Sequence, residues 1–307
     1  MTDIASLSEA PALLARAGRS AGSGPDLTQG AGGNVSVKVP GGRMLIKASG
    51  ARLRDVTPTS GYALVDSGVI AGRLRRGPAG EDELSDLIKA ATLPVDGLPP
   101  AKPSIETGFH SLLNSAVVHV HSVYANVLNM SEEGACAAAR LFPEAVRIPY
   151  RSPGAQLCSA IAVHARPSEE QVFFLAGHGL AVSHQDVDGA LALNERVNAA
   201  IRRGLSLPPY TAAPAAAGLA PHNAARLAFY GRDFMLNNVL SPDQALYCGP
   251  EALSGAAGPD VNEVLAALFY VLDCIRALGW KPRFLSADDV AYLATMTGGR
   301  YARKGKE

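Results

Sequence analysis

Asn34-Val35-Ser36-Val37-Lys38-Val39 alternates with a period of two, breaks at Pro40-Gly41-Gly42-Arg43, and resumes as Met44-Leu45-Ile46-Lys47-Ala48-Ser49. Two such runs across a glycine-rich turn predict an antiparallel hairpin. A purely parallel, doubly wound sheet is therefore the wrong architecture. The hairpin follows a flexible glycine-rich loop over residues 21–33. Further strands are predicted at 62–66, 116–121, 172–176 and 180–183, and helices at 10–20, 81–93, 105–113 (Ser104 as N-cap), 123–130, 155–165 and 187–205. Hairpins mixed with helices argue for a sheet flanked by helices.

Residues 207–221 hold many prolines and alanines and no charge, which marks a linker or a strap. Beyond it, Val261, Val264, Leu265, Leu268, Phe269, Leu272 and Ile275 repeat at helical spacing, and Ser286 with Asp289 marks a capped helix start. The expected division is thus a main unit over 1–206, a linker over 207–221 and a helical C-terminal extension over 222–307.

Lys and Arg total 28, as do Asp and Glu, so the chain has no net charge and no basic field of the kind that binds nucleic acid or an anionic membrane surface. Its apolar run over 264–272 stops at Asp273, short of the roughly 20 residues that span a bilayer. The N-terminal residues, with Asp3 and Glu9, lack the basic and apolar regions of a secretory signal. Cys136, Cys158, Cys248 and Cys274 form no CxxC pair, which argues against a disulfide framework and for a reducing, cytoplasmic setting. Charged residues make up only 18% of the chain, and apolar surface left over in such a protein is commonly shared between subunits.

Val117-Val118-His119-Val120-His121-Ser122 carries the chemistry. Residues two apart on a strand point the same way, so His119 and His121 share a face, with Cβ atoms roughly 6.6 Å apart, within reach of one metal ion. The same pattern also occurs on solvated strand faces. Gly177-His178-Gly179 adds a third imidazole at a tight turn between two apolar strands. Three histidine nitrogens with one open position are the donor set of a catalytic zinc site. His164 falls in a predicted helix and His184 and His222 in predicted loops; His110 shares a helix face with Glu106, as a packed residue or a partner of the site. Glu106 reads either as a first-turn acid that complements the helix dipole or as a carboxylate that shuttles a proton beside the metal. Gly30-Ala31-Gly32-Gly33-Asn34, Lys47-Ala48-Ser49-Gly50 and the helix start at Ser104 together point to a phosphate.

These segments, in this order, resemble the class II aldolase/adducin family: Gly33-Asn34-Val35-Ser36, Ile46-Lys47-Ala48-Ser49-Gly50, Pro103-Ser104-Ile105-Glu106, Val118-His119-Val120-His121-Ser122 and His178-Gly179-Leu180. Within the family the aldolase part of bifunctional rhamnulose-phosphate aldolase/dehydrogenases is most similar, and Ser241-Pro242-Asp243 resembles its continuation. The resemblance implies a three-layer α/β/α sandwich with a largely antiparallel sheet, and a cytoplasmic homotetramer. It also implies Zn2+, or another divalent transition metal, on His119, His121 and His178, Glu106 as acid/base, and a phosphate held by Gly33, Asn34, Lys47, Ser49, Gly50 and Ser104. Two features depart from the family pattern: Ile105 stands where many members carry a second serine, and the tyrosine proton donor that a neighbouring subunit contributes has no placed match, Tyr124 and Tyr150 being candidates.

The implied reaction is cleavage of a ketose 1-phosphate to dihydroxyacetone phosphate and an aldehyde, on a small phosphorylated sugar or sugar acid. Epimerase, decarboxylase and dehydratase chemistry on the same fold are the alternatives. A non-catalytic, adducin-like scaffold is the rival from another class, and it is disfavoured because all three histidines are present. The low charged fraction makes a testable statement about assembly: sedimentation equilibrium should return four chain masses, and a monomer would leave the composition unexplained.

Overall fold

The computed structural model describes residues 2–3, 7–212, 216 and 218–300. Two short strands, β1 (Thr2–Asp3) and β6 (Val95–Asp96), pair with each other in parallel. Eight others form one sheet: β2 (Asn34–Val39), β3 (Arg43–Lys47), β4 (Tyr62–Asp66), β5 (Thr92–Leu93), β7 (Ala116–Val120), β8 (Val146–Ile148), β9 (Gln171–Leu175) and β10 (Gly179–His184). Their order is β5-β4-β3-β2-β7-β10-β9-β8, and each neighbouring pair is antiparallel except β8 with β9. The expected hairpin is β2 and β3, with Val37 opposite Leu45.

Strand alternation sorts the apolar side chains into two cores. Val35, Val37, Val118, Val120, Leu180 and Val182 face α1 (Ala10–Ala21), α5 (Val123–Asn129) and α8 (Val187–Gly204). Met44, Ile46, Val117, Phe173, Leu175 and Ala181 face α2 (Ser67–Leu74), α3 (Glu81–Ala90), α4 (Thr107–Leu112) and α7 (Ala155–Ala162). The result is the three-layer α/β/α arrangement with a largely antiparallel sheet.

Local details depart from the sequence reading. The helix expected over 81–93 stops at Ala90, because Thr92 and Leu93 join the sheet edge opposite Val65 and Leu64. Helix α2 was not legible as such, although its cap is: the Asp66 carboxylate accepts from the Val69 amide at 2.9 Å. Helix α6 (Gly134–Leu141) is not expected from the sequence either, and β8 escapes periodicity because three residues are too few to show a period. His184 closes β10, His222 lies in a helix, and His164 falls in the turn after α7.

The C-terminal part is helical, as expected: α9 (Pro221–Tyr230), α10 (Arg232–Asn237), α11 (Pro242–Tyr247), α12 (Pro259–Ala277) and α13 (Ala287–Arg300). Ser286 caps α13 by accepting from the Asp289 amide at 3.1 Å. The apolar face of α12 packs on α5 and joins the same apolar cluster as Val120 and Val123. Polar ties fix its placement. Arg52 pairs with Asp260 and Glu263, and the Gly30 amide donates to Glu263 at 2.8 Å. The Arg283 amide donates to the Met130 carbonyl at 2.7 Å, and Asn262 accepts from the Ala220 amide at 2.8 Å. No helix among the described residues is long and apolar enough to cross a membrane.

Phe269 on α12 is fully buried and stacks on Tyr230 of α9, with ring centroids 5.8 Å apart. Phe269→Ala should lower the unfolding free energy by about 3–5 kcal/mol, the usual cost of emptying a buried phenylalanine site, as read by denaturant titration.

Candidate active site

The antiparallel register brings the site together. Asn34 on β2 lies opposite His119 on β7, and His119 lies opposite Ala181 on β10. His119 is therefore the middle of three strands, His121 follows the end of β7, and His178 precedes β10. Their ring centroids lie 4.9–5.0 Å apart pairwise, and one ligating nitrogen from each falls within 4.8 Å of the others.

Two glycines make this closeness possible. Gly33 has a positive φ of 68°, and a Cβ there would stand 2.7 Å from the His119 carbonyl oxygen. At Gly179 a Cβ would stand 2.4 Å from the Val120 carbonyl oxygen, so a side chain would push β10 off β7. The turn bearing His178 is held from α5. Asn129 donates to the Gly179 carbonyl at 2.8 Å and Asn126 to the His178 carbonyl at 3.3 Å. The sequence signal for this pair was two asparagines three apart on an otherwise mostly apolar helix, which points them the same way.

Two of the imidazoles, His119 and His121, have a defined outer contact, while the His178 Nδ1 is buried without a hydrogen-bond partner. The His119 Nδ1 sits 3.0 Å from the Leu180 carbonyl oxygen; as that oxygen can only accept, Nδ1 carries the hydrogen and Nε2 is left as a lone-pair donor. That Nε2 is buried without a hydrogen-bond partner, 3.5 Å from a Glu106 oxygen. The second Glu106 oxygen lies 3.5 Å from the His178 Nε2. Asn34 donates to Glu106 at 2.6 Å and to the Ser104 hydroxyl at 3.2 Å.

The electrostatics follow from this packing. Burial pushes the Glu106 carboxyl up, but His119, then His178 and His121, and the Asn34 amide outweigh it and hold the group down at about 2. Burial drives His119 down and takes His178 to about 3, so both imidazoles are neutral. His121 is raised instead, because Asp243 outweighs its burial. His110 stays outside the cluster: its Nδ1 meets the Ser36 hydroxyl at 2.7 Å, its ring stacks on Phe109, and burial takes it to about 3.

A cavity opens in front of Glu106, His121 and His178. All six residues expected around a phosphate line it: Gly33, Asn34, Lys47, Ser49, Gly50 and Ser104. Two of them have further contacts that the sequence did not reveal. The Asn34 amide is directed at Glu106, and the Lys47 ammonium donates to the Ala31 and Ala51 carbonyls at 3.0 and 2.7 Å, which ties the glycine loop to the strand end. The C-terminal part also lines the cavity, with Pro242, Asp243, Leu246 and Tyr247. Neither Tyr124 nor Tyr150 is among the lining residues; Tyr247 is the lining tyrosine. Tyr247 has no sequence signal, and Asp243 stands in the Ser241-Pro242-Asp243 segment without a role, since no local pattern links it to a histidine more than a hundred positions earlier.

The sequence profile of the Class II Aldolase and Adducin N-terminal domain matches residues 12–203, and the chain belongs to that family. One solved structure supports the fold. The N-terminal class II aldolase domain of a conserved protein from Thermoplasma acidophilum is 20% identical, with a TM-score of 0.55 over 62% of this chain and 91% of that one. YgbL from Klebsiella pneumoniae is 22% identical (TM-score 0.48; 69% and 93% covered). L-fuculose-1-phosphate aldolase from Thermus thermophilus is 18% identical (TM-score 0.43; 65% and 94% covered). No curated protein sequence matches the chain. Class II aldolases are metal-dependent, and the donor set fits such an ion: three buried imidazoles, one with an orphaned inward nitrogen.

One divalent ion per chain should accordingly bind wild-type protein. His119→Ala and His178→Ala should each abolish tight binding, as measured by metal analysis after dialysis. Because the ion binds only the folded state, zinc at a hundred times its Kd should raise the apparent unfolding free energy by about 2.7 kcal/mol.

Proposed function

We propose that this chain is a zinc-dependent lyase that interconverts a ketose 1-phosphate with dihydroxyacetone phosphate and an aldehyde. The observation that carries the reading is the place of Glu106: an ionised, buried carboxylate 3.5 Å from two of three clustered imidazoles, at the base of a cavity. A divalent ion held by His119, His121 and His178 would supply Lewis-acid polarisation of the substrate's C2 carbonyl, and zinc suits three nitrogens with an open position.

The remaining steps belong to the chain's own side chains. In the condensation direction the Glu106 carboxylate takes a proton from C3 of the ketone phosphate. The carbon pair then bonds to the aldehyde carbonyl carbon, and the new C4 oxygen takes a proton. Cleavage is the reverse, with Glu106 returning the proton to C3. The low pKa of Glu106 supports the ionised form that condensation needs, and Asn34 keeps the carboxylate aimed by its hydrogen bond. Ser49, Gly50, Ser104 and the glycine loop with Gly33 bind the phosphate, Asn34 borders it, and Lys47 lends its charge from the cavity wall. The active form in this reading is a cytoplasmic homotetramer built on an aldolase unit at 1–206, with residues 222–307 as a helical extension.

Glu106→Gln keeps the size and removes the base. It should lower turnover on the order of 10²–10⁴-fold while zinc stays bound. A coupled assay for dihydroxyacetone phosphate release, run across a set of sugar phosphates and sugar-acid phosphates, makes the measurement. Full activity in the variant would refute the assignment, and carbon dioxide in place of dihydroxyacetone phosphate would move the chemistry to decarboxylation.

A further inference from the structure

Asp243 lies outside the residues matched by the family profile, yet its carboxylate meets the Nδ1 of His121 at 2.5 Å across 122 positions of sequence. A carboxylate oxygen accepts, so the hydrogen sits on Nδ1 and the lone pair of His121 is left on Nε2. The contact is sheltered, with the His121 and Asp243 side chains 9% and 18% exposed, so water competes weakly for it.

Asp243 is put there by contacts that do not involve His121. The Ser241 hydroxyl accepts from the Gln244 amide at 3.3 Å, which caps the turn that carries Asp243. The buried Gln244 side chain donates to the Met235 and Asn238 carbonyls at 2.7 and 3.0 Å and accepts from the Leu240 amide at 2.9 Å. The Leu285 amide donates to the Val239 carbonyl at 2.7 Å, so the segment is pinned from both sides. Its position in front of the histidines is therefore a property of the C-terminal helices. His119 obtains its outer contact from the main chain, at Leu180; His121 obtains its own from a side chain of the extension.

We propose that Asp243 is a positioning residue of the metal centre: it fixes the tautomer and ring orientation of His121, so that the C-terminal extension sets how tightly the ion is held. The inference rests on the reading that His119, His121 and His178 hold a divalent ion. Outer partners of histidine ligands commonly govern metal affinity by 10–100-fold, because they orient the ring and raise its basicity.

The test is a competition titration of Zn2+ against a chromophoric chelator, on the full-length chain, with Co2+ absorption as a spectroscopic check. Asp243→Ala should weaken Zn2+ binding 10–100-fold. Asp243→Asn keeps an acceptor oxygen without the charge; it should lose less, and it carries the test if the alanine variant does not fold. Both should shift the Co2+ ligand-field bands. Arg73→Ala, which breaks the ion pair with Glu83 and touches neither His121 nor the C-terminal extension, should leave Zn2+ affinity within threefold of wild type. Wild-type affinity in both Asp243 variants would overturn the proposal, as would a loss in Arg73→Ala equal to that in Asp243→Ala. Failure of the wild-type chain to bind any ion would instead remove the reading on which the proposal rests, and the proposal with it.

Discussion

The structure turns on a buried carboxylate enclosed by imidazoles. Taking Glu106 out of water is costly, and a lone ionised carboxylate in this interior would revert to its neutral form. The Asn34 amide, donating to it at 2.6 Å, favours the ionised form, and the His119 and His178 rings line it at 3.5 Å. These partners come from β2, β7 and the turn before β10, so the sheet must close before the charge has a home. The antiparallel register that sets Asn34 opposite His119 is thus a structural and an electrostatic requirement together.

The same logic explains why the site borders both layers. Val118 and Val120 send their side chains into one core while His119 turns toward the other, where Phe109 meets its ring edge-on at 6.0 Å. Apolar packing on both faces makes β7 rigid, and a rigid strand can hold an unsatisfied nitrogen in place. His121 lies just past the strand, and there a carboxylate from the extension takes over the positioning role.

Much of this was legible from local pattern. Alternation at Asn34–Val39 and around His119 marked the strands, and flanking glycines marked the turn at His178. What stayed hidden has physical causes. Short elements such as α2 and β8 carry too few residues to show a period, and the division of labour on the phosphate wall depends on distances. Asn34 was read with the phosphate group of residues; its amide is directed at Glu106, because β2 and α4 approach there.

The sequence by itself determined the sheet and its helical layers, the common face of His119 and His121, and the glycines that let strands approach. These follow from periods of two and about 3.6 and from backbone freedom, all local properties. Only the tertiary structure decided that His178 and Glu106 converge on that pair, that Lys47 is tied to the glycine loop, and that Asp243 reaches His121. Such contacts depend on how separate elements pack in three dimensions, and no local period encodes the distance between residues 122 positions apart.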